Sequence, residues 1–228
     1  MSIISIKNVE KIYNETVVPV HAINDISLEF QEGEFAAIVG PSGCGKTTLL
    51  NLLGGLDEPT KGQIFIEDVN ISTLNKRQKT DFRMKHIGFV FQAYNLIPVL
   101  TAMENVSFIM ELQKIPKAER EARAKSLLEA VGLGDRLHVR PSRLSGGQQQ
   151  RVAVARALAS KPRYVLADEP TANLDSKSTT DLLDIMRRLN KEEGITFIFS
   201  THDQRVIDRA KRIIKLDDGK VLSDETKS

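Results

Sequence analysis

The feature that most constrains this chain is a run of eight residues, Gly40-Pro41-Ser42-Gly43-Cys44-Gly45-Lys46-Thr47, which begins where the apolar stretch Phe35–Val39 ends. It fits the pattern G-x-x-x-x-G-K-[ST]. An apolar stretch of that length reads as a buried strand, and Thr47–Leu53 continues as helix, so the run sits at a strand-to-helix turn. Its glycines let the backbone turn tightly, so that several N–H groups point into one concavity at a helix N-terminus. That concavity suits a polyphosphate. Lys46 then supplies a point charge to the β- and γ-phosphates, and the Thr47 hydroxyl a ligand for Mg2+.

Strand and helix signals alternate along the rest of the chain. Ser2–Val9 and Ile26–Phe30 read as short strands, and Gly62–Val69 and Ile87–Phe91 as further ones. Lys76, Arg77, Lys79, Arg83 and Lys85 cluster, but Asp81 interrupts them, so a solvated helix face is expected rather than a nucleic-acid patch. Beyond residue 92 the character becomes helical. Thr101 with Glu104 and Ser145 with Gln148 are capping boxes. Between them, Ala118–Val131 reads as a helix with Glu119–Arg123 and Glu121–Lys125 pairs, stopped by Gly132. Strands return at Tyr164–Ala167 and Ile195–Ser200, flanking a helix with an apolar stripe at Leu182, Leu183, Ile185, Met186 and Leu189. Ile213–Leu216, the Asp218-Gly219 turn and Val221-Leu222 make a closing hairpin. This order predicts an α/β chain with a largely parallel sheet and a helical insert over about 93–160.

Composition excludes several classes. The formal net charge of +2 gives no global drive toward nucleic acid or anionic lipid. The single cysteine, Cys44, rules out an intrachain disulfide and a thiolate zinc cage. Lys7, Glu10 and Lys11 come too early for a signal-peptide apolar core, and no apolar run approaches the ~18 residues of a spanning helix. A cytosolic chain that meets a membrane only through a partner is expected.

The second half carries more chemistry. Tyr164–Ala167 ends in Asp168-Glu169, which places a carboxylate at the tip of a strand where Mg2+ at the phosphate loop needs one. Neighbours on a strand point oppositely, so Asp168 is expected to reach the metal and Glu169 a water. Thr196–Phe199 ends in Ser200-Thr201-His202-Asp203, where His202 reads equally as a structural hydrogen-bonder or a γ-phosphate contact. Cys44 lies at a helix N-terminus beside Lys46, a setting that activates a thiol, so an alkylator is expected to block activity and ATP to protect. Leu144-Ser145-Gly146-Gly147-Gln148 is a second glycine-rich helix start, hence a second anion site that one chain alone has no use for.

With that last motif the sequence resembles the ATP-binding-cassette (ABC) family, whose signature is Leu-Ser-Gly-Gly-Gln, over essentially its whole length. The resemblance implies a P-loop NTPase (RecA-like) α/β core with an antiparallel β subdomain and an inserted α-helical subdomain. Residues 1–92 and 161–228 would form the core and 93–160 the helical part of a single nucleotide-binding domain. It implies ATP and Mg2+ as ligands. Tyr13 would stack on adenine, Gly40–Thr47 would wrap the phosphates and Thr48 would touch the α-phosphate. Gln92 would contact Mg2+ and the attacking water, Asp168 the metal, and Glu169 would be the general base. His202 would be the switch histidine. Ser145, Gly146, Gly147 and Gln148 would close on the γ-phosphate of an opposite subunit in a head-to-tail dimer, with Asp175 reporting across it.

Gly88–Gln92, Asn95–Pro98, Leu100–Ala102 and Glu104–Val106 are similar to the lipoprotein-releasing and macrolide-efflux branch. The implied role is the ATPase subunit of a transporter, peripheral on the cytoplasmic face of the membrane and bound to an integral permease. A regulator of a membrane cell-division or cell-wall complex, an importer ATPase, and a soluble DNA-repair or translation ATPase are the alternatives. Near-neutral charge argues against the last. Only 26 residues follow His202, so no appended regulatory domain is expected there.

Overall fold

A computed structural model describes residues 2–14 and 18–227. The chain opens with strands β1 (Ser2–Tyr13), β2 (Val20–Gln31) and β3 (Phe35–Val39), then helix α1 (Lys46–Leu53), β4 (Lys61–Ile66) and β5 (Val69–Asn70). Helix α2 (Lys76–His86) and β6 (Ile87–Val90) lead into α3 (Ala102–Leu112), α4 (Lys117–Ala130) and α5 (Gly146–Leu158). The last third holds β7 (Tyr164–Asp168), α6 (Ser176–Glu193), β8 (Thr196–Thr201), α7 (Gln204–Arg209), β9 (Arg212–Asp217) and β10 (Lys220–Thr226).

Among the described residues the strands form two sheets. One is antiparallel in the order β2-β1-β4-β5; the other runs β10-β9-β3-β8-β7-β6, parallel except for the terminal β9–β10 hairpin. The parallel sheet is buried on both faces, as its near-continuous apolar strands require. Alternate residues divide between two cores. Ala36, Ile38, Leu166 and Ile198 face α1 and the antiparallel sheet. Phe35, Ala37, Val165, Ala167, Phe197 and Phe199 face the helices α3 to α6. The helical part therefore packs its core directly against one face of the sheet.

Both capping boxes expected from the sequence are formed, at Thr101/Glu104 and Ser145/Gln148, and a third at Asn75/Gln78 opens α2. Three expectations are corrected. First, β1 and β2 are each 12 residues long rather than short, because positive-φ residues Asn8 and Asp25 bulge the pair and break its alternation without ending it. Second, the Gly62–Val69 strand is two, turning at Glu67 with φ 52°. Third, Arg123 turns inward from its expected ion pair and donates to the carbonyls of Leu158 and Ala159, which cap the end of α5.

Candidate functional site

The loop after β3 is held between two strands that the sequence does not place beside it. At Gly45, φ is 104°, and a Cβ there would lie 2.4 Å from the Ala22 carbonyl oxygen on β2; one at Gly40 would lie 2.2 Å from that of Leu216 on β9. Only glycine permits both approaches. The Gly219 N–H, in the β9–β10 turn, donates to the Cys44 carbonyl at 3.1 Å and fastens the loop from that side. Lys46 is buried, its ammonium donating to the Gly40 and Pro41 carbonyls at 2.8 Å each.

This loop forms one wall of a cleft of about 690 Å³ at the C-terminal ends of β3, β7 and β8. Gly40, Pro41, Ser42, Gly43, Gly45, Lys46, Thr47 and Thr48 line it, and Gln92, Glu169 and His202 face them. The Thr47 hydroxyl donates to Asp168 Oδ1 at 3.1 Å, bringing the loop and the end of β7 together. Those two oxygen donors fit a hard divalent cation that keeps phosphate and water ligands besides.

Glu169 directs its side chain by a device the alternation argument does not contain. The strand ends at Asp168, and Glu169 takes a left-handed backbone with φ 43°. Its N–H donates to the Ser200 carbonyl at 2.9 Å, and its carboxylate accepts from the Thr201 hydroxyl at 3.2 Å. Glu169 Oε1 and His202 Nδ1 share a 2.7 Å hydrogen bond. A non-glycine residue in this region of backbone space is strained and clusters at sites where geometry matters. Beyond it, Thr171 donates to Asp203 at 2.8 Å, and hydrogen bonds from Arg205 hold the Asp203 carboxyl down at about 2. The segment after Glu169 is thereby tied to the segment after His202.

Cys44 requires a correction. Its side chain is buried at 5% exposure in the core beneath the loop, with Sγ 3.9 Å from Lys46 Nζ, and its N–H donates to the Pro41 carbonyl. A thiol so placed is not presented to an alkylating reagent, so the expected sensitivity is withdrawn.

Other expected site residues stand outside the cleft wall. Tyr13 donates its hydroxyl to Asp57 at 2.6 Å and has the Lys11 ammonium 4.7 Å from its ring centre. Ser145–Gln148 form the start of α5, and Asp175 caps α6, accepting from the Ser178 N–H and hydroxyl at 2.9 and 2.6 Å. Conversely, Val20, His21, Ala22 and Asp218 line the cleft without having been expected there. No local motif marks them; the pairing of distant strands brings them in.

Comparison with known proteins agrees with this geometry. The family model described as "ABC transporter" matches residues 23–172. An uncharacterised ABC transporter ATP-binding protein of Thermotoga maritima is 50% identical over 219 residues, covering 96% of this chain and 93% of its own. The macrolide export ATP-binding/permease protein MacB of Brucella melitensis is 47% identical over 99% of this chain, which spans only 35% of that protein. Among solved structures, the dimeric post-hydrolysis state of the ATP-binding cassette MJ0796, bound to ADP and Pi, superposes with a TM-score of 0.90 at 42% identity over 98% of each chain. The MJ0796 sequence belongs to Methanocaldococcus jannaschii.

Proposed function

The chain belongs to the ABC transporter family and is an ATPase domain of it; from that premise we propose that it works as one half of a head-to-tail dimer that drives a membrane permease of the export or lipoprotein-release branch. The observation that carries the chemistry is the single cleft in which the phosphate loop, the Thr47–Asp168 contact and the Glu169–His202 pair converge. The branch is supported by MacB, whose name joins a permease to the ATP-binding part in one protein.

In this reading Tyr13 offers an aromatic face to the base, and the Gly40–Thr48 segment surrounds the phosphates. Lys46 exchanges its two backbone carbonyls for β- and γ-phosphate oxygens. Thr47 and Asp168, with Gln92, would hold Mg2+, which supplies charge neutralisation at the phosphate oxygens. Glu169 orients a water in line with the γ-phosphorus and accepts its proton, while His202 braces the carboxylate and faces the same phosphate. Ser145, Gly146, Gly147 and Gln148 of the second copy bring helix-start N–H groups to that γ-phosphate, and Asp175 stands at the same junction. Catalysis is then positioning and charge stabilisation, with the P–O bond to ADP broken as the water oxygen adds.

No helix among the described residues is long and apolar enough to cross a membrane; in this reading the chain lies on the cytoplasmic face against the permease it drives. Its contact is proposed at an apolar groove of about 340 Å³ between β6, α3 and α5, one residue from Gln92 at Phe91. The test is to purify the chain from its native membranes and identify what accompanies it. A permease with few spans and a large extracytoplasmic domain supports the proposal. A many-span permease with a soluble binding protein moves it to import, and no membrane partner at all overturns it.

A further inference from the structure

Gln150, on the first turns of α5, is completely buried, yet it is not a packing residue. Its Nε2 donates to two backbone carbonyls, Phe91 at 3.3 Å and Pro170 at 2.7 Å. Phe91 directly precedes Gln92, and Pro170 directly follows Glu169. One amide thus ties together the backbone beside the two residues proposed to hold the attacking water. Both partners are acceptors, so the amide has only one orientation that fits. In that orientation Oε1 has no hydrogen-bond partner. A buried acceptor left alone is costly, and a leucine or methionine would fill the space without it. What the amide provides is the pair of donors.

The same helix grips the following residues as well. Arg156 donates to the Tyr94 carbonyl at 2.8 Å and to that of Asn95. Tyr94 and Asn95 both have positive φ, 53° and 51°, a conformation that side-chain-bearing residues keep only when held. From the opposite side Asn173 Nδ2 donates to the Gln92 carbonyl at 3.0 Å. The backbone on both sides of Gln92 is therefore fixed, and α5 supplies most of the hold.

We infer that Gln150 is a positioning residue, setting Gln92 and Glu169 relative to each other and relaying to them the displacement of the Ser145–Gln148 helix start. The inference rests on the proposed head-to-tail dimer. There the start of α5 meets the nucleotide of the opposite chain, so Gln150 makes turnover in one cleft responsive to closure at the other.

The test uses the full chain carrying Gln150→Leu, with ATP hydrolysis measured across ATP concentration, equilibrium binding of a fluorescent ATP analogue, and a thermal melt. The expected result is a kcat about 10- to 100-fold lower, with nucleotide affinity and melting temperature close to those of the wild type. The Hill coefficient falls toward one, which a merely structural role would not produce. Unchanged kcat and Hill coefficient overturn the inference, as does a loss of affinity that parallels the loss of rate. Gln150→Met repeats the test in an unbranched side chain; failure of both variants to fold assigns Gln150 to structure alone and also overturns it. A wild-type chain without ATPase activity would instead remove the reading on which the inference stands.

Discussion

Glu169 shows how the proposed general-base role would be built from a single residue's surroundings. Its left-handed backbone, the Thr201 hydroxyl and His202 Nδ1 leave one rotamer well supported. Glu169→Gln keeps that shape and removes the negative charge that takes a proton. Turnover is expected to fall by about 10²–10⁴-fold while ATP affinity is retained, because general-base catalysis contributes on that order. Single-turnover hydrolysis beside equilibrium binding separates the two, and near-normal turnover would refute the assignment. Lys46, Thr47, Asp168 and Glu169 were legible in the sequence because a phosphate loop and a strand-end acid are local patterns. His21 and Asp218 were not. They reach the cleft through a contact between residues far apart in the chain, in which Asn24 donates from its backbone to Gly219 and from its side chain to Asp218, at 2.8 and 2.9 Å.

Helix α5 carries information that its sequence shows only in part. Its capping box was readable from Ser145 and Gln148, since both partners lie within one turn. The reason for Gly147 was not, because it lies on another helix. A Cβ at Gly147 would stand 2.7 Å from Ser178 Oγ and 2.8 Å from Ser178 Cβ, so the starts of α5 and α6 touch through this glycine. Two effects oppose each other in Gly147→Ala. Helix propensity favours alanine by up to about 1 kcal/mol, whereas overpacking costs about 1–3 kcal/mol. The Ser178 Cβ is fixed to its helix backbone and has no freedom to swing away, so overpacking wins and the variant is destabilised. Ser178→Gly removes the obstructing atoms, and combined with Gly147→Ala it should recover part of the loss. Urea unfolding of the nucleotide-free single and double variants measures this, and strictly additive losses would show that the two residues do not meet. The long β1–β2 pair illustrates the same limit, since bulges at Asn8 and Asp25 hid its extent from any period-two reading.

At the scale of the whole molecule, the cleft and the apolar groove lie on either side of one short segment, residues 91–95. Gln92 lines the cleft, while Phe91 and Asn95 line the groove together with Phe89, Phe108 and Leu112. Phe108 is 39% exposed and Leu112 52%, with Val99 nearby in sequence at 69%. Large side chains left this open, next to a segment fastened by α5, make a surface that a partner can press on and a chemical site can feel. Phe108→Asp separates the two functions. Because Phe108 is only partly buried, the change should cost no more than about 1–2 kcal/mol, a fraction of a domain's stability, and the isolated chain should hydrolyse ATP at close to the wild-type rate. Recovery of the permease from native membranes, however, should fall sharply, since a charge in the groove loses water without gaining a partner. Equal recovery of the permease by the two forms would place the docking surface elsewhere. A parallel collapse of ATPase activity in the isolated chain would show that Phe108 serves the fold of the segment rather than the partner that covers it.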